Sequence, residues 1–233
     1  MILKKFIKHL SFRFLYPLTK YYLSKERRYK YNDIHIKVMP NVFHPGLFFS
    51  TKILLEYLEG KNLNQSSILE LGAGTGLISI FCAKKKAVVT ATDISSTAIH
   101  NIEQNSTNNS VNINIIQSDL FAEIPKQKFK WIIINPPYYP QDPNNEFEYA
   151  WFCGRNFQFF IKLFDQLELY SDISSNSIMI LSEDCDIKKI SEIAENKLFK
   201  LDEIKIIRKW GEWNYLYKIV MMTNTTKSDS SVM

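Results

Sequence analysis

The chain has 233 residues, of which 45% are hydrophobic and 23% are charged. This composition supports one sizeable buried core and excludes a low-complexity, intrinsically disordered chain. No apolar run approaches 18 residues, so we expect no transmembrane helix. The three cysteines, Cys82, Cys153 and Cys185, are far apart and odd in number. They exclude a disulfide scaffold, argue against a metal site and fit a reducing cytoplasm, which we expect to be the location.

The net charge of +5 is concentrated at the N-terminus. Residues 1–30 carry nine Lys or Arg and one acid, whereas the remainder carries 20 basic and 23 acidic residues. Apolar residues recur in steps of three and four from Leu3 to Tyr21, which predicts an amphipathic helix that Pro17 kinks or divides. We therefore predict a basic amphipathic arm over residues 1–40. Its Lys/Arg face either lies in solvent while the apolar stripe docks on the body, or contacts nucleic acid, particularly through residues 1–30, or an anionic surface.

From residue 66 onward, strand-like and helix-like segments alternate along the chain. The predicted strands are 67–71, 87–94, 112–117, 130–134 and 177–181, and the predicted helices are 77–85, 95–105, 155–170 and 186–197. Two further strand-like runs, 201–209 and 215–222, are joined by the short connection 210–214, which is typical of a β-hairpin. The pattern predicts an α/β fold: a Rossmann-like, seven-stranded, mostly parallel sheet with helices on both faces and a C-terminal antiparallel hairpin. This domain should cover residues 41–222, followed by a disordered polar tail at 223–233.

A glycine-rich loop joins the first predicted strand of this domain to its first helix. It contains Glu70, Gly72, Gly74 and Gly76. Glycine permits positive φ angles and lets a ligand approach the backbone, while the following helix presents free N–H groups. Leu77 stands where the third glycine of the dinucleotide fingerprint would fall, which argues against an NAD enzyme. We expect Glu70 to orient the loop or to meet a ligand's ammonium group through water.

Acidic residues follow the next two predicted strands. Asp93 can accept hydrogen bonds from both hydroxyls of a ribose, and Asp119 can accept one from an adenine amino group. Ile94 and Leu120 would supply apolar walls to the ring. Because the carboxyl ends of parallel strands meet at one edge of the sheet, these residues and the glycine loop are expected to form a single nucleoside site.

The fourth predicted strand runs directly into Asn135-Pro136-Pro137-Tyr138. A planar amide or amino nitrogen attacks poorly because its lone pair is delocalised. The Asn135 side chain and the Pro136 carbonyl would accept its two hydrogens, and the Tyr138 ring would lie beside the planar group. These residue types in this order favour catalysis at such a nitrogen by positioning.

Taken together, these motifs resemble the class I S-adenosylmethionine (SAM)-dependent N-methyltransferases with an Asn-Pro-Pro-Tyr motif. That group includes release-factor glutamine, adenine-N6 and ribosomal RNA guanine-N2 methyltransferases. The resemblance implies SAM as cofactor, with Asn135 at both the cofactor and the methyl acceptor. Residues 42–55 resemble the segment that closes over the methionine end of SAM, which adds Thr51 to the cofactor-binding residues. The implied substrate is a macromolecule, either RNA or a translation protein.

Two features leave the methyl acceptor open. Release-factor enzymes have a helical N-terminal domain of about seventy residues, whereas this chain has about forty basic ones. The segment 138–154 is rich in aromatics and acids, and it could stack on a base, clamp a peptide or cover the sheet; core positions are favoured for Trp151 and Phe152. A small-molecule N-methyltransferase and a non-catalytic SAM-binding interaction subunit are the alternative functions.

Overall fold

The computed structural model describes residues 21–209 and 211–222. The strands are β1 (Arg27–Tyr31), β2 (Ile34–Val38), β3 (Ser67–Leu71), β4 (Val88–Asp93), β5 (Asn114–Gln117), β6 (Trp131–Ile134), β7 (Asn176–Ser182), β8 (Phe199–Lys209) and β9 (Glu212–Met221). The α-helices are α1 (Phe49–Glu59), α2 (Leu77–Lys84), α3 (Ser96–Asn108), α4 (Gln158–Tyr170) and α5 (Ile187–Asn196), and a 3-10 helix spans Glu146–Ala150. The predicted helix upstream of residue 21 and the predicted tail lie outside the described residues.

A seven-stranded sheet with the order β5-β4-β3-β6-β7-β9-β8 forms the centre of the fold. Its first five strands pair in parallel, and β9 and β8 join as antiparallel strands. The sheet separates two apolar clusters, one under α1, α2 and α3 and the other under α4 and α5. All four residues of β6 are buried because both faces of this strand are covered. This architecture confirms the predicted fold class.

The N-terminal boundary region differs from the sequence-based expectation. Residues 27–38 form the two-stranded antiparallel hairpin β1–β2, which was not predicted. Ile34, Ile36 and Val38 face the body and are buried in its core, while the intervening residues face outward. This part of the predicted arm is therefore a strand pair packed on the domain. Five-residue strands of alternating polarity give a weak sequence signal beside a long run of basic residues.

Two further differences concern element boundaries. Helix α1, over residues 49–59, lies in the stretch that was interpreted only by resemblance. The second strand of the C-terminal hairpin begins at Glu212 rather than Tyr215, so the turn is shorter than the predicted 210–214 connection. Gly211 has φ +85°, which suits a tight turn between twisted strands. No helix within residues 21–209 and 211–222 is long and apolar enough to span a bilayer.

The order of the strands creates a switch point between β3 and β6. The chain leaves β3 toward β4 and β5 on one side, and it leaves β6 toward β7 on the other. Ligands of such sheets bind at the carboxyl ends of the strands beside this point. The glycine loop follows β3 and Asn135 follows β6, so the topology brings the two motifs together.

Candidate active site

A cavity of about 490 Å³ opens at this edge of the sheet. Its size falls within the range of about 300–1,000 Å³ that is usual for cofactor and small-ligand sites. The sequence-predicted site residues that line it are Thr51, Glu70, Gly72, Gly74, Asp93, Ile94, Asp119, Leu120, Asn135, Pro136 and Tyr138. Gly76 does not line it. The structure thus brings together residues from several separate parts of the chain.

The glycine loop owes its shape to alternating left-handed residues. Gly72, Gly74 and Gly76 have φ angles of +69°, +56° and +76°. Gly76 caps helix α2, and a Cβ atom there would lie 3.0 Å from Cγ2 of Ile102 on α3. Its place in the motif therefore reflects both a backbone conformation that side chains disfavour and a close contact between elements.

Asp93 fixes the loop from the end of β4. Its Oδ2 accepts the Gly74 N–H at 2.9 Å, and its Oδ1 accepts the Ser95 N–H at 3.0 Å. Burial raises the pKa of this carboxyl, and the backbone donors oppose that shift. Because a carboxylate can accept about four hydrogen bonds, each oxygen keeps capacity for a ribose hydroxyl.

Glu70 lies near the end of β3 and is 5% exposed. Its Oε2 accepts a hydrogen bond from the Ser79 hydroxyl of α2 at 2.5 Å. Burial raises its pKa to about 8, and the Ser79 hydrogen bond acts in the opposite direction. The contact ties β3 to the helix behind the loop.

The predicted adenine side of the cavity lies beyond β4 and β5. Asp119 is partly exposed, and its Oδ2 pairs with Nζ of Lys162 on α4 at 2.5 Å. Leu120 is buried and has φ +54°, which turns the chain into the cavity wall. Lys162 itself lines the cavity and was not predicted; no signal in its amphipathic helix distinguishes it from a solvent-exposed lysine.

Residues of segment 41–48 also line the cavity. Val42, Phe43 and Phe48 line it, and Thr51 follows in the first turn of α1. His44 is not among the lining residues; its Nδ1 accepts the Gly46 N–H at 3.0 Å, and burial lowers its pKa. A neutral ring in a backbone contact fits a supporting role.

Asn135 emerges from β6 at the base of the cavity and is half-buried. The Tyr138 hydroxyl donates a hydrogen bond to Asn135 Oδ1 at 3.2 Å. Sequence reasoning missed this bond, which fixes the orientation of the side-chain amide. One lone pair of Oδ1 remains for a second donor. Burial also raises the pKa of Tyr138, so the phenol stays protonated and can act as the donor.

An aromatic cluster lines part of the cavity. Trp151 contacts Phe43 and Phe48 with ring centroids 5.7 and 5.1 Å apart, and Phe147 lies 6.1 Å away. Trp151 and Phe152 are buried, as expected, yet both also line the cavity. Together with Leu23 and Phe147 they form a small third core cluster.

Glu146 is a second residue that sequence reasoning missed. It lies in the 3-10 helix, and its carboxylate accepts hydrogen bonds from the hydroxyls of Ser95, Ser96 and Thr97 at 3.2–3.5 Å. The contacts link the segment after the Asn-Pro-Pro-Tyr motif to the start of α3. A glutamate in an acid-rich loop gives no sequence signal for such a long-range contact.

Comparison with known proteins agrees with this geometry. The sequence profile of the methyltransferase small domain family matches residues 33–150. The chain belongs to this family. The match includes β2, the glycine loop, Asp93, Asp119 and the Asn135 motif.

Two curated methyltransferases are among the relatives with a similar sequence. A putative protein N5-glutamine methyltransferase of Methanocaldococcus jannaschii is 38% identical over 116 residues, covering 49% of this chain and 56% of that protein. The ribosomal RNA small subunit methyltransferase C of Buchnera aphidicola is 36% identical over 124 residues, covering 52% of this chain and 35% of that protein. The matched segment therefore spans about half or less of these relatives.

A solved structure shares the fold at low sequence identity. The Thermus thermophilus 16S rRNA N2 G1207 methyltransferase, in complex with SAM and guanosine, superimposes with a TM-score of 0.62 at 14% identity. The similarity covers 85% of this chain and 50% of that one. At this identity the likeness supports the fold.

Proposed function

We propose that this protein is a SAM-dependent N-methyltransferase that methylates a planar nitrogen on a macromolecule, either a protein glutamine amide or a nucleobase amino group. The observation that carries the proposal is the convergence of Asn135 and the glycine loop on one cavity at the switch point of the sheet. Family membership supports methyl transfer. The hydrogen-bonding residues of the cavity support SAM as the cofactor and a planar nitrogen as the methyl acceptor.

The residues of the cavity suit SAM by their chemistry. Gly72 leaves the backbone open, since a Cβ atom there would meet nothing within 4 Å. Asp93 is held in place by two backbone N–H groups and can accept ribose hydroxyls. Ile94 and Leu120 flank the place for adenine, and Asp119 can accept from its amino group. SAM supplies the methyl group on a sulfonium centre.

Asn135 and Pro136 can perform the positioning that a planar nitrogen requires. The Tyr138 hydroxyl holds the Asn135 amide so that its oxygen keeps a free lone pair for the acceptor. The Pro136 carbonyl offers a second acceptor at the same edge. Hydrogen bonds to both N–H groups increase electron density on the nitrogen and aim its lone pair at the methyl carbon. The nitrogen then loses one proton to solvent.

Tritiated SAM tests the reaction and identifies the acceptor class. The protein is incubated with cell extract that is then separated into RNA, DNA, protein and metabolites. We expect label in RNA or protein, and a much slower incorporation with the Asn135→Ala variant. Label confined to metabolites would support the small-molecule alternative, and SAM binding without any transfer would support the non-catalytic one.

The N-terminal hairpin favours contact with a polyanion. On its solvent-facing side, two cations, Arg28 and Lys37, lie directly opposite each other, and Lys30 lies two positions further along the same face of β1. Like charges in directly opposed pairs destabilise a hairpin unless a counter-charge is present. Lys37 pairs with Glu26, whereas Arg28 and Lys30 are exposed. We propose that residues 1–40 carry the partner contact, including RNA phosphates, while residues 41–222 carry the cleft.

Salt dependence of RNA binding measures this contact. Fluorescence anisotropy with a fluorescein-labelled RNA should give a negative slope of log affinity against log salt. The Arg28→Gln/Lys30→Gln variant should reduce the slope by about 1.4–1.8, as expected for two lost phosphate contacts. Lys126→Gln/Lys188→Gln removes the same charge from exposed positions elsewhere and should leave the slope unchanged. Undetectable RNA affinity at low salt would contradict the RNA contact.

A further inference from the structure

Three asparagines form a ladder along one face of α3 and its C-terminal cap. Asn101, Asn105 and Asn109 are spaced by four residues, and they bond the backbone of β2 and of Met39 just after it. Their side-chain oxygens accept the N–H groups of residues 35, 37 and 39 at 2.9–3.1 Å. Their amide nitrogens donate to the carbonyl oxygens of residues 35 and 37 at 2.8–2.9 Å.

The geometry of helix and strand explains why this ladder fits. Four residues of α-helix rise about 6 Å, and two residues of strand rise about 6.8 Å. Alternate residues of β2 therefore meet successive asparagines, whose amides imitate the edge of another strand. The ladder satisfies the outer edge of β2, which β1 does not cover.

Asn105 makes one contact that the other two asparagines do not make. Its Nδ2 donates to the Thr75 carbonyl oxygen in the glycine loop at 2.9 Å, in addition to the Lys37 carbonyl at 2.8 Å. Its Oδ1 accepts the Lys37 N–H at 2.9 Å. Asn105 is fully buried, and it does not line the cavity. A single side chain thus joins the loop to the hairpin.

The hairpin leads directly into the segment that covers the cavity. Shortly after β2 ends, Val42 and Phe43 approach the loop, and a Cβ atom at Gly74 would lie 4.0 and 3.9 Å from their side chains. Residues of the glycine loop and of segment 41–48 both line the cavity. Their relative position depends on how the hairpin is held against the loop.

We propose that Asn105 is a positioning residue that couples the glycine loop to the N-terminal hairpin and thereby sets the two walls of the cofactor site. The inference rests on the proposed function, since it concerns SAM binding. According to this proposal, Asn105 contributes to cofactor affinity although it lies outside the cavity. Asn101 and Asn109 bond β2 and Met39 but not the glycine loop.

Alanine variants at two ladder positions separate these roles. In Asn105→Ala, the Thr75 carbonyl oxygen and the Lys37 N–H lose their partner, and the Kd for S-adenosylhomocysteine measured by calorimetry should rise about 10-fold or more. Asn101→Ala is the matched control: it is equally buried and also bonds Lys37, but it does not reach the loop. Its Kd should stay within about 2-fold of wild type. In turnover, Asn105→Ala should raise KM for SAM and leave kcat at saturating SAM unchanged. Equal Kd increases in both variants would overturn the proposal.

Hydrogen exchange of the wild-type protein tests the same coupling without a substitution. Coupling is reciprocal, so ligand at the loop must stabilise the hairpin bond that Asn105 makes. S-adenosylhomocysteine should slow exchange of the Lys37 amide, which bonds Asn105, more than that of the His35 amide, which bonds Asn109. Protection of the loop with no change at Lys37 would overturn the proposal alone. Absence of any binding would overturn the cofactor assignment and this inference with it.

Discussion

The two halves of the cleft are built in different ways. On the proposed cofactor side, Asp93, Glu70 and Asn105 are buried or half-buried, and each holds the glycine loop or the elements next to it by hydrogen bonds. On the proposed acceptor side, an aromatic cluster around Trp151 and the orienting bond from Tyr138 to Asn135 form the walls. One half is fixed mainly by polar contacts, the other mainly by packing.

Unsatisfied buried polar atoms do not separate the two halves. Among the described residues, the buried side-chain nitrogens and oxygens without a hydrogen-bond partner belong to Ser50, Trp151 and Asn214. Trp151 lines the cavity within the aromatic cluster, whereas Ser50 directly precedes Thr51, a proposed cofactor residue. Buried polar groups of this kind mark functional regions or ordered water.

The largest expected effect separates chemistry from cofactor binding. Asn135→Ala removes one hydrogen-bond acceptor and leaves the loop and Asp93 unchanged. Turnover should fall by about 10²–10³, with little change in SAM affinity. Asn135→Asp keeps an acceptor at the same place and should retain more activity than the alanine variant. Single-turnover rates with a verified acceptor measure both. Full activity in Asn135→Ala would mean that the motif is structural.

Two glycine substitutions sharpen the comparison within the cofactor half. Gly76→Ala combines a left-handed backbone with a 3.0 Å approach to Ile102, and it should lower the free energy of unfolding by about 2–4 kcal/mol. Gly72→Ala has a similar φ and no neighbour within 4 Å, so its cost should be about 1–2 kcal/mol. Because Gly72 lines the cavity, the added Cβ atom should also weaken SAM binding. Urea denaturation and calorimetry distinguish the two, and equal stability losses would contradict the close contact.

The buried carboxyl of Glu70 predicts a pH dependence. Burial raises its pKa from 4.5 to about 8 in the folded state. Between these values the unfolded chain has released a proton that the folded chain still holds, so the free energy of unfolding should fall as pH rises. In Glu70→Gln, this fall of the free energy of unfolding with rising pH should disappear, as urea denaturation at several pH values would show. We also expect cationic SAM to ionise Glu70 and release up to about one proton, measured by calorimetry in buffers of different ionisation enthalpy. Identical pH profiles for the two proteins would contradict the assignment.

The smallest effect is expected at the rim of the cofactor half. Lys162 and Asp119 are 54% and 45% exposed at their side chains, and exposed ion pairs contribute about 0–1 kcal/mol. Lys162→Met should therefore change the free energy of unfolding and SAM affinity by less than about 1 kcal/mol. Asp119→Asn should reduce affinity more, because it also alters the proposed adenine contact. If Lys162→Met lost more than about 1 kcal/mol of SAM binding free energy, Lys162 would take part in SAM binding.

The sequence alone determined the fold class and the residues at the strand ends. Strands and helices alternate with clear periods, and parallel strands bring their carboxyl ends to one edge of the sheet. The positions of Glu70, Asp93, Asp119 and Asn135 along the chain were therefore enough to assign them to one cleft. These are local signals, readable from a residue and its neighbours. Gly76 was assigned to the same site, but the structure gives it a packing contact with Ile102.

Only the tertiary structure decided how the cleft is held together. The asparagine ladder joins residues 62–74 positions apart, and Glu146 reaches the start of α3 across 49–51 positions. The role of the β1–β2 hairpin can be recognised only in the folded protein, where its apolar side packs on the core and its edge bonds Asn105. A side-chain hydrogen bond between distant segments leaves no periodic pattern, because its partner is chosen by the packing of whole elements rather than by neighbouring residues.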